Sequence, residues 1–206
     1  MPIRLILPPK KSLAKLGKAL RHFIALKEQH TRWMNLLPSS ITPKKVLFPH
    51  PLYKVGLAEL LAGKPLSVAM RRTGWIYFLR DRKSNLACAE VSLIRGLHKN
   101  ARLTEGPFIR KTFDLISKSR RDPRINRHRF EVRSLRAESL HFFSLWFRTT
   151  EGVEYFVPVT PLGTTLKARR WISRKELNDG LLREAQRVRN ALARAEELLS
   201  TARRTS

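Results

Sequence analysis

Acidic residues are scarce in this sequence. Only 16 Asp and Glu residues stand against 42 Lys and Arg residues, which gives a formal net charge of +26 at neutral pH. An excess of this size repels itself in the compact state and favours polyanionic partners, which release condensed counterions when they are bound. The composition therefore predicts an acidic partner, with nucleic acid as the leading class.

Cysteine and long apolar runs are almost missing as well. The single cysteine, Cys88, excludes an intramolecular disulfide and a Cys-rich zinc module. No apolar run approaches the roughly 20 residues of a membrane-spanning helix, and the apolar stretch at the N-terminus is too short for a secretory signal. We expect a soluble protein of a reducing compartment, either the cytoplasm or, as an alternative, an organellar matrix or nucleoid.

Catalytic motifs are missing too. The sequence has no Walker loop, G-x-S-x-G, G-x-G-x-x-G or H-E-x-x-H pattern, and its six His residues are scattered. Asp122 followed by Glu131-Val132-Arg133 resembles the D…E-x-K pattern of metal-dependent nucleases, in which two carboxylates hold Mg²⁺. The lysine is replaced by Arg133, and an arginine does not share its proton readily. We predict a non-enzymatic protein with no cofactor and no metal.

Residues 1–51 are expected to form a basic N-terminal arm. Residues 12–26 have helical periodicity, with Ser12 as a candidate N-cap and an apolar arc that includes Leu16 and Leu20. The opposite side of this helix carries Lys11, Lys15 and Lys18. The helix could lie on an acidic membrane surface, enter a partner's groove, act as an import signal or pack on its own domain. Four prolines after residue 37 then predict a linker.

Residues 52–165 are expected to fold as one α+β domain. Two short helical turns come first, followed by a hairpin of "WIYFLR" and "LACAEVSL", a helix over "LTEGPFIRKTFDLISKS" and three further strands. The strands are "RFEVRSLR", "LHFFSLWFR" and "VEYFVPV". This order, β-β-α-β-β-β, predicts a five-stranded antiparallel sheet. Aromatic residues occur at both parities of these strands, which favours core packing over base stacking.

Residues 166–206 are expected to form a long C-terminal helix. Ser173 and Glu176 make a capping box, and apolar residues recur every three or four positions from Leu177 to Leu199. This helix either docks on the sheet or pairs with another chain as a short coiled coil.

The segment from "EGPFIR" through "RFEVRSLRAESLHFFSLWF" to "YFVPVTP" resembles a set of small uncharacterised bacterial proteins. In that set a G-P-F helix start precedes a Y-E-V/L-R-x-L strand and an aromatic strand that ends in L-W. The resemblance covers residues 105–160 and implies no known activity. The order of elements is also similar to that of roadblock and profilin-like domains, a similarity of topology that carries no function.

A basic stretch, Ser117 to Arg136, covers the end of the predicted helix at 103–119, the loop after it and the following strand. We expect it to contact several phosphates of RNA or DNA without sequence preference, and we add the three lysines of the N-terminal helix. The predicted nucleic-acid-binding residues are Lys118, Arg120, Arg121, Arg124, Arg127, Arg129, Arg133, Lys11, Lys15 and Lys18.

The sequence thus predicts a non-enzymatic nucleic-acid-binding protein, as a subunit of a larger nucleoprotein assembly. The alternative is a scaffold subunit that binds an acidic protein or a membrane surface through its terminal helices. The two predictions share the same source, because an excess of positive charge attracts any acidic surface.

Overall fold

The fold is taken from a computed structural model, which describes residues 3–4, 6–27, 46–80, 86–126, 129–163 and 166–204. Every structural statement below concerns these residues. The helices are α1 (Lys10–Lys27), α2 (Leu57–Leu61), α3 (Leu66–Ala69), α4 (Pro107–Ser119), α5 (Pro123–Asn126) and α6 (Arg174–Arg204). The strands are β1 (Ile3–Arg4), β2 (Val46–Lys54), β3 (Arg71–Arg80), β4 (Leu86–Ile94), β5 (Leu97–Glu105), β6 (Phe130–Ala137), β7 (Phe142–Arg148) and β8 (Glu154–Pro158).

The strands form one mixed sheet in the order β5-β4-β3-β2-β6-β7-β8, with β1 paired to β6 outside this path. Strands β3, β4 and β5 make one antiparallel meander, and β6, β7 and β8 make a second. Strand β2 joins them, because it pairs antiparallel with β3 and parallel with β6. The sheet therefore depends on β2 for its continuity.

A buried hydrogen bond crosses the joint between β2 and β6. His50 is only 1% exposed, and its Nδ1 lies 2.6 Å from the carbonyl oxygen of Phe48. Since a carbonyl oxygen only accepts, Nδ1 carries the proton and Nε2 accepts from the Ser134 hydroxyl, at 2.9 Å. His50 is therefore a buried histidine that bridges β2 and β6.

One face of the sheet is covered by α4. Ile109, Phe113 and Ile116 of the helix are buried against a cluster that includes Phe78, Phe130, Val132 and Phe147. The rings of Phe113 and Phe78 meet edge to face at 5.5 Å between centroids. Because Phe130 and Val132 alternate along β6, this face is set by the period of two in the strand.

The opposite face is covered by α1 at one end and by α2, α3 and α6 at the other. Helix α1 buries Leu16 and Leu20 against Trp75, Tyr77 and Val91. Ser12, which we predicted as the helix N-cap, lies inside α1 instead. It is fully buried and its hydroxyl is 2.5 Å from the hydroxyl of Tyr77. The helix therefore packs on its own sheet.

Helix α6 begins with the predicted capping box and docks through its first half. The Ser173 amide donates to the Glu176 carboxylate at 2.8 Å, and the Glu176 amide donates to Ser173 Oγ at 3.2 Å. Leu177 and Leu181 are fully buried against the sheet cluster. Gly180 is also buried, and it packs closely on Leu166: a Cβ atom at position 180 would lie 2.7 to 2.9 Å from the Leu166 side chain.

The α+β class and the long C-terminal helix agree with the sequence prediction, but the sheet is larger and is not purely antiparallel. Two pairings with β6 are parallel. Residues 46–51, which we placed in a linker, form part of β2, and a register shift between Leu47 and His50 accommodates Pro49 in the strand. Residues 97–105, read as a polar stretch and the start of a helix, form the edge strand β5.

The protonation of His50 should link stability to pH. Burial lowers the pKa of His50 from 6.5 to about 4. The unfolded chain therefore binds a proton in a pH range where the folded protein does not, so stability falls as the pH drops from 6.5 towards 4, by up to about 3 kcal/mol. Urea unfolding of His50→Gln should show a shallower loss of stability over this range.

His141→Gln, which removes an exposed imidazole, is the control for loss of a histidine. Its unfolding free energy should fall with pH as steeply as that of the parent protein. Equal slopes in the parent and in His50→Gln would contradict the assignment of a neutral, buried His50.

Gly180 and Gly17 should respond in opposite ways to substitution by alanine. Alanine is the better helix former by about 1 kcal/mol, but at position 180 the added methyl group must displace Leu166, and overpacking costs about 1 to 3 kcal/mol. At Gly17 of α1 the nearest atom to a new Cβ is 3.9 Å away. Thermal unfolding should show destabilisation for Gly180→Ala and stabilisation for Gly17→Ala.

Candidate nucleic-acid interface

The outward side of α4 carries a line of positive charge. Gly106, with a φ of 112°, and Pro107 at the first helical position start the helix. At 100° per residue, Arg110, Lys111, Asp114, Lys118 and the following Arg121 fall within an arc of about 100°, opposite the buried residues. All five are exposed. Because a helix rises about 1.5 Å per residue, the line is roughly 16 Å long.

Three arginines at the margins of α4 lie over aromatic rings. The guanidinium carbon of Arg80 is 4.9 Å from the Phe113 ring centroid, and that of Arg120 is 5.9 Å from Phe48. Arg124 of α5 lies 5.5 Å from the Trp171 ring. Stacking of this kind holds the stem of an arginine while its charge stays near solvent.

We call the following residues the α4 surface: Arg80, Arg110, Lys111, Lys118, Arg120, Arg121 and Arg124. Asp114 lies within the arc of α4, and the Asp122 carboxylate accepts a hydrogen bond from the Arg124 amide at 2.9 Å. The surface is therefore strongly positive.

The segment before α6 extends this surface around the β8 edge of the sheet. Trp171 contacts Arg124 and also packs on Phe147, with ring centroids 5.2 Å apart. Lys167, Arg169 and Arg170, which precede it, are exposed. Since this segment pairs with β8 through Ile172, its position is fixed by backbone hydrogen bonds.

A second basic surface lies on the other face of the sheet. Helix α1 lies over β4 and β5, with Lys11 and Lys18 exposed and Lys15 half-buried. Burial, and then the positive charges of Arg72 and Lys11, lower the pKa of His98. We call Lys11, Lys15, Lys18 and Arg72 the α1 surface. A ligand bound to the α1 surface is thus separated from the α4 surface by the thickness of the sheet.

The structure separates the predicted binding residues into three groups. Lys118, Arg120, Arg121 and Arg124 belong to the α4 surface, and the three lysines belong to the α1 surface. Arg129 is exposed, but it directly precedes Phe130, which faces α4, so strand alternation directs it to the opposite face. Arg127 lies outside the described residues. Arg133 lies on the α6 face of the sheet, because it follows Val132 on β6.

Arg133 is held in a structural cluster. Its side chain is 16% exposed, and Nη2 donates to the Glu131 carboxylate at 2.9 Å. The guanidinium lies 4.7 Å from the Trp146 ring and 5.6 Å from the Tyr53 ring. Sequence parity placed Arg133 opposite the core residues, but it could not show that α6 and its neighbours cover that face as well.

The two carboxylates of the nuclease-like pattern are both engaged. Glu131 pairs with Arg133, and Asp122 bonds the first turn of α5. Within the ranges that the structure describes, no group of three or more His, Cys, Asp or Glu residues could hold a metal ion.

The sequence reasoning missed Arg110 and Lys111. A helical wheel over 107–121 places both beside Lys118, so the sequence contains the signal, although the run of arginines after residue 117 is denser. Arg80 was missed for a different reason: its contact with Phe113 depends on how the helix lies across the sheet. No local pattern predicts such a contact.

The aromatic residues of the sheet do not form an exposed platform. Trp75, Tyr77, Phe142, Trp146 and Phe156 are each at most 2% exposed. These five lie on the face that α1 and α6 cover, and rings of the other face, such as Phe78 and Phe147, are buried on the side that α4 covers. Contact with nucleic acid through the sheet face is thus blocked at these residues.

The chain matches no protein-family model, no curated protein and no solved structure. The resemblance of residues 105–160 to a small bacterial family stays a prediction. None of the described helices has the length and apolarity needed to cross a lipid bilayer.

Replacing Arg133 should test its structural role. Arg133→Gln leaves the half-buried Glu131 carboxylate without its cation, and we expect a loss of about 1 to 3 kcal/mol in unfolding free energy. Nucleic-acid affinity, measured by fluorescence anisotropy below the unfolding range, should change less than twofold. A large loss of affinity with unchanged stability would instead place Arg133 in the interface.

Proposed function

We propose that this protein is a non-enzymatic nucleic-acid-binding protein that contacts the phosphates of RNA or DNA mainly through the α4 surface. The observation that carries the proposal is the exposed arc of α4, in which Arg110, Lys111, Lys118 and Arg121 accompany one acid, Asp114. Phosphate backbones are the commonest polyanions with charges spaced along such a line.

The positions of the acidic residues favour the α4 surface over other surfaces as the binding site. Glu131, Glu90 and Glu154 pair with arginines inside the fold, at Nη to carboxylate distances of 2.8 to 2.9 Å. Acids that are used in this way cannot neutralise the outward face of α4. In the described part of the chain, the excess of basic residues therefore lies mainly on surfaces that face solvent.

The chemistry of the α4 surface favours binding without sequence preference. Arginine and lysine contact phosphates through charge and hydrogen bonds, which position a nucleic acid but carry no base information. Trp171 and Phe48 are already stacked under Arg124 and Arg120. We therefore expect affinity that depends steeply on salt and weakly on sequence.

The α1 surface provides a second, separate contact area. Because it lies on the opposite face of the sheet, its lysines should contribute independently of α4, so that free-energy losses from changes on the two surfaces add. Two such surfaces suit a subunit embedded in a larger nucleoprotein assembly, where RNA or DNA passes on both sides.

Charge reversal on α4 tests the proposal. Arg110→Glu, Lys111→Glu and Lys118→Glu combined should weaken binding to a random duplex by at least about tenfold at moderate salt. The plot of log affinity against log salt should become shallower by about 2 to 3, since each lost phosphate contact removes about 0.9 from the slope.

Lys64→Glu, Lys175→Glu and Arg183→Glu combined are the matched control. They change the net charge by the same amount, and all three positions are exposed on the α6 side of the sheet. The control should retain most of the affinity and the salt slope. If both triple variants lose affinity equally, only net charge matters and the α4 surface is not an interface.

A further inference from the structure

Helix α6 is longer than the domain on which it docks. Leu177, Leu181 and Ala185 are fully buried, and Val188 is half-buried, whereas every residue from 189 to 202 is exposed. The part from 189 to 204 is roughly 24 Å long at 1.5 Å per residue. An isolated helix of this length is marginally stable in water, so it gains from a partner.

The exposed part carries an apolar stripe. Leu192, Leu198 and Leu199 are 55%, 72% and 63% exposed. At 100° per residue they fall, with Val188 and three alanines, within an arc of about 120°. The stripe consists of Val188, Ala191, Leu192, Ala195, Leu198, Leu199 and Ala202. It continues the row that the first half of α6 buries against its own sheet.

We propose that this stripe binds the same stripe of a second copy of the chain, with the two helices antiparallel. In heptad terms Leu192 and Leu199 occupy a positions, and Val188 and Ala195 occupy d positions. Antiparallel pairing sets Leu192 against the partner's Ala195 and Leu199 against the partner's Val188. Large side chains then face smaller ones, which lets the helices approach closely.

The charges beside the stripe are complementary to their own reversed copy. Arg189 and Glu196 lie on the same margin, seven residues apart at e positions. In the antiparallel pair Arg189 meets the partner's Glu196, and the two-fold axis repeats this contact. A wholly acidic partner helix would match Arg189 but would repel Glu196, so the mixed margin favours a second copy.

The parallel alternative fits less well. It would place Leu192 against the partner's Leu192 and Ala195 against the partner's Ala195. Leucine layers would then alternate with alanine layers, and the small alanine side chains would leave their layers poorly packed. It would also bring the two docked domains to the same end of the pair. Antiparallel pairing places the domains at opposite ends, away from each other.

This pairing is independent of nucleic-acid binding, since α6 and the α4 surface share no residue. A dimer would present two α4 surfaces to one ligand. Linking two modules raises the apparent affinity without any new contact to the ligand, provided that both surfaces can reach it.

Analytical ultracentrifugation of the full chain, freed of nucleic acid by nuclease and high salt, tests the proposal. A concentration series up to about 0.1 mM should show a monomer and dimer equilibrium. Arg189→Glu or Glu196→Arg should each weaken the dimer about tenfold, because each creates two like-charge contacts. The double variant should restore it.

Glu197→Arg is the matched control, because it makes the same charge change next to Glu196 but faces away from the stripe. It should leave the dimerisation constant unchanged, while Leu192→Glu should abolish the dimer. Circular dichroism checks that each variant keeps its helix. A parent chain that stays monomeric throughout, a double variant that is not restored, or equal effects of Glu196→Arg and Glu197→Arg would overturn the proposal.

Discussion

The parallel pairing of β2 with β6 is the constraint on which the rest of the fold depends. Without it, the sheet would divide into two units, β2-β3-β4-β5 and β6-β7-β8. The pairing aligns Leu52 with Ser134, and the His50 side chain bonds Ser134 across it. A buried, neutral imidazole is costly to protonate, so this joint is also where acid should first weaken the protein.

Covering both faces of the joined sheet determines where the charge lies. Helix α4 covers one face, and α1 with α6 covers the other. The acids that lie on the strands pair with arginines: Glu90 of β4 pairs with Arg136 of β6, and Glu131 pairs with Arg133 of the same strand. Basic residues are left on the outward arcs of the covering helices. The positions of the positive surfaces therefore follow from the way the helices cover the two faces of the sheet.

Local sequence patterns were sufficient to predict part of this structure. Alternation along β6 to β8, the glycine and proline punctuation of α2 and α3, and the Ser173 capping box all depend on near neighbours in the chain. Strand β2 could not be predicted, because its prolines indicate a linker, and the register shift between Leu47 and His50 that accommodates Pro49 is not visible in the sequence. Strand β5 is mostly polar, as edge strands often are, and its apolar alternation is short, with Ala101 and Leu103 on the side of the core. The partial burial of Arg133 could not be predicted either, because the covering of both sheet faces is a tertiary property.

Lysine footprinting is the most direct measurement of the central claim that the α4 surface contacts phosphates. Acetylation of the native protein, read by mass spectrometry with and without a saturating random duplex, compares Lys111 and Lys118 with Lys64 and Lys175, which are also exposed. The account predicts that nucleic acid protects Lys111 and Lys118 and leaves Lys64 and Lys175 reactive. Protection of Lys64 and Lys175 with no protection of the α4 lysines would contradict it.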